Sequence, residues 1–125
     1  MTKRILVVED HEDNRRILRD LLTSVGYEAI EATTGEEGVL FAETRRPDLI
    51  LMDIQLPVLD GYEATRRIKA NAELRHIPII VVTSYALSGD DVKARAAGAD
   101  GYVAKPFSPR KLLATIQQFF AYPPP

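Results

Sequence analysis

The sequence predicts an α/β domain in which a parallel sheet is covered by helices on both faces. Three observations carry this. Apolar runs of strand length alternate with segments of helical period, the pattern of repeated βα units. Three of those runs, Ile5-Leu6-Val7-Val8, Leu49-Ile50-Leu51-Met52 and Ile79-Ile80-Val81-Val82, are continuously apolar, as strands buried on both faces are. The chain of 125 residues also has the common size of one domain and can bury a real core.

Taken in order, the first strand is expected over Arg4–Glu9. A helix follows whose stripe of Ile17, Leu18, Leu21, Leu22 and Val25 faces inward, with Arg15, Arg16, Arg19 and Asp20 on the other side. Gly26 is its C-terminal cap. The second strand, Glu28–Ala32, is less apolar and belongs nearer a sheet edge. Gly35–Thr44 has helical period, although Leu40 and Phe41 fall off the stripe set by Val39 and Ala42, so part of that helix is expected to expose apolar surface. A strand over Asp48–Asp53, a helix over Gly61–Ala70 and a strand over Ile79–Thr83 come next. A helix over Gly89–Ala97 stops at Gly98, and Gly101–Ala104 is a second weak, edge-type strand. Ser108 before Pro109 reads as an N-cap with proline at the first helical position, opening a helix to Phe119 with Leu112, Leu113 and Ile116 inward. Tyr122-Pro123-Pro124-Pro125 cannot continue it and is expected to be an extended tail.

Composition narrows the function. With 16 basic and 18 acidic residues the net charge is −2, and the basic residues are scattered, so there is no footprint for nucleic acid or anionic membrane. No cysteine is present, which excludes disulfides and thiolate metal or redox chemistry and is compatible with a reducing cytosol. No stretch approaches a membrane span, and the first apolar run is too short for a signal peptide.

The chemistry lies at the strand ends. The apolar runs lead into Glu9-Asp10, Asp53, Thr83 and Lys105-Pro106. In an open parallel sheet the carboxyl ends of the strands share one edge, and ligands bind in the crevice there. Three carboxylates brought together repel and raise one another's pKa, so the cluster implies a small hard cation. Magnesium suits it, because that ion takes oxygen ligands and joins one or two carboxylates to phosphate oxygens. Asp53 stands alone at the mouth of the central strand, where its carboxylate can attack phosphorus to form an acyl phosphate. The Lys105 ammonium can neutralise phosphoryl oxygens, and the Thr83 hydroxyl can donate to a new acceptor oxygen. The Lys105-Pro106 bond is of the kind that permits the cis form. His11 and His76 have no partner at ligand spacing and receive no role.

The segments VVED, LILMDIQLPVLDGYE, IIVVTSYA and GYVAKPF, in that order, resemble the receiver domain of two-component response regulators over essentially residues 3 to 120. Within that CheY-like family the chain is most similar to stand-alone receivers of the DivK type and to receivers appended to hybrid histidine kinases. The resemblance implies a flavodoxin-like (βα)5 fold with strand order 2-1-3-4-5, a receiver over residues 1 to 120, a flexible tail at 121 to 125 and no effector domain. It makes Asp53 the phosphoacceptor. Asp10 and Asp53 then bind Mg2+ directly, Glu9 assists through water, and the Gln55 carbonyl supplies a further ligand. It makes Lys105 the partner of the phosphoryl group, Thr83 the switch hydroxyl, Tyr102 the aromatic that reports the state, and Lys105-Pro106 a cis peptide. Pro57 and Gly61 match the loop after the phosphoacceptor strand, where glycine lets backbone approach the site and can take positive φ. Gln55 and Tyr85 flank the path of attacking water, and the bulk of Tyr85 is expected to slow loss of phosphate.

The implied partners are a sensor histidine kinase or histidine phosphotransferase, and a downstream protein bound on the surface of the fourth helix, fifth strand and fifth helix. The chain is expected to be cytoplasmic and an enzyme only in the narrow sense of acting on itself. A hydrolase built on an aspartyl phosphate would want a second Asp two residues beyond the nucleophile, where this chain has Gln55. A dinucleotide or flavin module would want a glycine-rich or hydroxyl-rich loop after the first strand, where Glu9-Asp10-His11-Glu12-Asp13 repels an anion.

Overall fold

The computed structural model describes residues 2–83 and 90–120. Its elements are β1 (Arg4–Val8), α1 (Glu12–Ser24), β2 (Glu28–Ala32), α2 (Gly35–Arg45), β3 (Leu49–Asp53), α3 (Gly61–Ala70), β4 (Ile79–Thr83), α4 (Asp90–Ala96), β5 (Gly101–Ala104) and α5 (Pro109–Phe120). All four strand pairings are parallel and the order is β2-β1-β3-β4-β5. The weak strands β2 and β5 are the edges. After β2 the chain crosses back over β1 to β3, so the topological switch falls between β1 and β3. A crevice opens there at their carboxyl ends.

The period of two along each strand divides the core into two layers. Ile5, Val7, Leu49, Leu51, Ile80 and Val82 pack under α1 and α5 with Leu18, Leu22, Leu112 and Ile116. Leu6, Val8, Ile50, Met52 and Ile79 pack on the other face with Ala42, Ala64 and Ile68 of α2 and α3. Every residue of β3 and β4 is buried, which explains their unbroken apolar character.

Two helices depart from the expected patterns. On α1, Leu18 and Leu22 are buried and Leu21 is partly so, but Ile17 is 58% exposed and Val25 45%. The helix meets the sheet along the line of Leu18 and Leu22, which leaves Ile17 on the flank. Val25 is already the cap residue with non-helical backbone, so it leaves the stripe. Gly26 follows at φ 93; its N–H bonds Thr23 O at 3.1 Å and Tyr27 N–H bonds Leu22 O at 3.1 Å, a glycine-dependent closure of the last turn. On α2 the buried line is Gly35, Gly38 and Ala42. Leu40 is exposed as expected, but Phe41, three residues on from Gly38, packs against the core instead of facing solvent. At the other end of the chain α5 includes Phe120, whose ring meets Tyr27 edge-on at 5.6 Å. The tail at 121–125 and Tyr85 lie outside the described residues.

Candidate functional site

The site grows from the ends of β1, β3, β4 and β5. Glu9 is held just past β1 by its N–H to Ala32 O at 3.0 Å, and its side chain turns into the cleft, where the residue is 1% exposed. Asp53 ends β3 and is 5% exposed. Asp10 is half-buried beside them. Lys105 follows β5; its backbone N–H donates to Thr83 O at 2.6 Å, which draws it against the end of β4. Its Nζ then reaches inward to Glu9 Oε1 at 2.9 Å and Asp53 Oδ2 at 3.7 Å. Residues from positions 9, 53 and 105 therefore meet at one ammonium.

Backbone donors complete the setting. The Gln55 N–H donates to Asp53 Oδ1 at 3.2 Å, and the His11 N–H to Glu9 Oε2 at 3.1 Å. Thr83 is buried at the end of β4, one residue past Val82, the register partner of Asp53. Tyr102 is half-buried on β5 opposite Val81. The Lys105-Pro106 peptide bond is cis.

Burial, and then the charge of Glu9, push the Asp53 carboxyl up to about 6 against the pull of Lys105. Burial also acts to raise Glu9, but its hydrogen bonds to Lys105 and to the His11 N–H, with the Lys105 charge, bring it down to about 2. One buried carboxylate is thus satisfied by the lysine, and its neighbour carries the excess negative charge. Glu9, Asp10 and Asp53 are all hard oxygen donors; the Lys105 ammonium lies between Glu9 and Asp53, and carboxylate oxygens of Glu9 and Asp10 gather with a His11 ring nitrogen within 4.8 Å of one another. This donor set fits magnesium.

The loop after Asp53 bears out one half of what is expected of Gly61 and corrects the other. Gly61 does not take a positive φ; that conformation falls on Val58, at φ 68 and 98% exposed. Gly61 serves the close approach expected of it. A Cβ there would collide with the Asp53 carbonyl oxygen and lie 2.8 Å from Ile54 Cα. Gly61→Ala is therefore expected to cost about 2–3 kcal/mol through backbone displacement, read as a lower urea midpoint with an unchanged m-value.

Two residues escaped the sequence reading. His11 does have neighbours at ligand distance: its Nδ1 lies 3.1 Å from Asp10 Oδ1 and 3.4 Å from Glu9 Oε2, and the Asp10 charge foremost raises its pKa. Arg15, expected on the outer face of α1, instead donates from Nη1 to the carbonyls of Glu9 at 3.0 Å and Asp10 at 3.1 Å. A signal existed, because side chains in a first helical turn lean back over the preceding loop.

With this geometry in hand, the comparisons define the class. The family model for the response regulator receiver domain matches residues 5–117, and the chain belongs to that family. It is 44% identical over 119 residues to the polar-differentiation response regulator DivK of Brucella ovis, covering 95% of this chain and 97% of the relative. The receiver domain of the sensor histidine kinase PA1611 from Pseudomonas aeruginosa PAO1, solved with a magnesium ion coordinated in its active site cleft, superposes with a TM-score of 0.90 at 41% identity. That match covers 98% of this chain and all of the neighbour. The Vibrio cholerae chemotaxis protein CheY4 matches with a TM-score of 0.89 at 29% identity, over 95% of this chain and 99% of that protein. Among the described residues, no helix is long and apolar enough to cross a membrane.

Proposed function

We propose that this chain is a stand-alone, cytoplasmic response regulator that accepts a phosphoryl group on Asp53 from a phosphohistidine and passes the signal on by protein contact. The observation that carries the reading is the meeting of Asp53, Glu9 and Lys105 at the carboxyl edge of the sheet. Asp53 is the nucleophile: a carboxylate oxygen bonds to phosphorus as the phosphorus–nitrogen bond of the donor breaks and its electron pair returns to the imidazole. Such transfer needs positioning and charge stabilisation more than covalent help. Lys105 supplies a fixed positive charge, and its contact with Asp53 is long enough to shift onto a phosphoryl oxygen. Glu9, Asp10, Asp53 and the Gln55 carbonyl are the residues that would hold Mg2+. The ion's contribution when bound is neutralisation of developing charge.

Once phosphoryl oxygens exist, the Thr83 hydroxyl can donate a hydrogen bond to one of them. Thr83 and Lys105 are joined through the backbone, so a change at one is felt by the other. Tyr102, two residues before Ala104 on β5, then reports the state to a surface made by α4, β5 and α5, where the downstream partner binds. Gln55 and Tyr85 set the phosphorylated lifetime. A second reading, a receiver that works within a hybrid histidine kinase, draws support from the likeness to the Pseudomonas receiver.

The test is intact-mass analysis after incubation with acetyl phosphate. The expected result is one added phosphoryl group in Mg2+, absent with chelator, and trapped at Asp53 by borohydride reduction of the acyl phosphate. Labelling that ignores chelation, or an acid-stable label that persists in Asp53→Asn, would overturn the reading.

A further inference from the structure

We propose that Arg15 is a positioning residue for the cation site, holding the Glu9-Asp10 turn so that both carboxylates face the cleft. The inference rests on the reading of that cleft as a magnesium and phosphoacceptor site, and adds to it a residue outside the ligand set.

The turn has a physical problem. Glu9 and Asp10 are consecutive like charges at the point where the chain leaves the sheet and has not yet entered α1, whose N-cap is His11. Repulsion favours swinging one carboxylate out to water. The backbone here is fixed from both sides. On the donor side the Glu9 N–H is bonded to Ala32 O. On the acceptor side a single nitrogen, Arg15 Nη1, bonds both the Glu9 and the Asp10 carbonyls, at 3.0 and 3.1 Å. The arginine is itself anchored. Its side chain is 15% exposed, and its Nε lies 3.5 Å from Glu31 Oε1 on β2. Glu31 is steadied in turn by Arg19 Nη1 at 3.2 Å on its other oxygen. A planar guanidinium can face two carbonyls with one edge and a carboxylate with another, which an ammonium on a flexible stem cannot do.

Two effects of Arg15 on a dication oppose each other, and this makes the idea testable by sign. Its positive charge repels the ion, so a purely electrostatic role predicts tighter binding when the charge is removed. Its hold on the turn favours the ion, so a positioning role predicts weaker binding whenever the two-carbonyl geometry is lost, with or without the charge. Outer-sphere partners that orient ligands are typically worth roughly 10–100-fold in metal affinity.

The experiment is calorimetric titration of Mg2+ into the unphosphorylated wild type and into Arg15→Lys, Arg15→Met and Glu31→Gln. Amide chemical shifts of Asp10 and His11 are recorded without metal, and far-UV circular dichroism checks each fold. We expect Arg15→Lys, which keeps the charge and loses the planar fork, to weaken Mg2+ binding about tenfold. Arg15→Met should weaken it at least as much, and Glu31→Gln by a smaller factor in the same direction. All three should shift the Asp10 and His11 amides before any metal is added. Tighter binding in Arg15→Met with an unchanged Arg15→Lys would reduce Arg15 to a distant charge and overturn the proposal. Unchanged affinity in all three would overturn it as well. Should Arg15→Met not fold, the lysine and glutamine variants decide alone. A wild type that binds no Mg2+, or binds it as well with Asp53→Asn and Asp10→Asn combined, would defeat the reading of the cleft itself, a result distinct from any outcome with Arg15.

Discussion

Replacing Lys105 with methionine is expected to destabilise the protein by about 3–5 kcal/mol at neutral pH without divalent metal, the cost of breaking a buried ion pair by removing one partner. Methionine preserves much of the stem's volume, so the loss is chiefly electrostatic. Glu9 is 1% exposed and bonds the Lys105 ammonium at 2.9 Å; Asp53 has the same ammonium 3.7 Å away. Without it, two buried carboxylates face each other, with the backbone N–H groups of His11 and Gln55 as partial compensation. Both would take up protons more readily. The Glu9 carboxyl, held at about 2 by these contacts, should rise most. The deficit of the variant should therefore shrink as the pH falls below the range where the carboxyls ionise. Millimolar Mg2+ should recover part of it, because an ion that binds only the folded state stabilises it by mass action. Urea unfolding at pH 7 and at pH 4.5, in chelator and in Mg2+, measures all of this. A deficit under about 1 kcal/mol at pH 7 in chelator would mean that Lys105 is not the counter-ion of the buried pair.

The features legible in the sequence are those that depend on a local period or on the end of a strand. Continuous apolar runs mark β1, β3 and β4 as strands buried on both faces. The residues after them converge because all the strands point the same way. What was not legible depends on how elements are tilted against each other. Ile17 and Phe41 lie on the edges of their helical stripes, and only the packing line of α1 and α2 decides that Ile17 faces water and Phe41 does not. The loop after Asp53 is similar. The close approach of Gly61 to the Asp53 carbonyl is legible in a glycine at that place, but the positive φ falls on Val58, a β-branched residue that disfavours it. Arg15 was hidden for a third reason: an arginine among arginines on a polar face looks like solvation until the loop it leans over is seen to be the one carrying Glu9 and Asp10.

Asp53→Asn should have two effects of opposite sense. It should abolish phosphoryl acceptance, since an amide nitrogen or oxygen is no substitute for the carboxylate nucleophile, and it should make the metal-free protein more stable at neutral pH. The sign follows from the direction of the shift. The folded-state pKa of Asp53 is raised, from 3.8 to about 6, so between those values the folded protein binds protons that the unfolded chain has released. Stability attributable to this group is fully present below about pH 4 and is lost as the pH rises through about 6. Glu9 behaves in the opposite way. Its pKa falls from 4.5 to about 2, and its contribution is present above about 4.5 and lost as the pH drops toward 2. Asparagine keeps an oxygen for the Gln55 N–H and carries no charge to be buried or repelled by Glu9. After allowing for solvent and for coupling to Glu9, the gain at pH 7 should be about 1–2 kcal/mol in chelator, vanishing below about pH 4. It should also narrow in Mg2+, where the wild-type carboxylate finds the charge it lacks. Thermal or urea unfolding across that pH range, run in parallel on both proteins, gives the answer. If Asp53→Asn is no more stable than wild type at pH 7 in chelator, or if its advantage grows as the pH falls, then Asp53 does not carry the cleft's excess negative charge and the electrostatic case for a dication there fails with it.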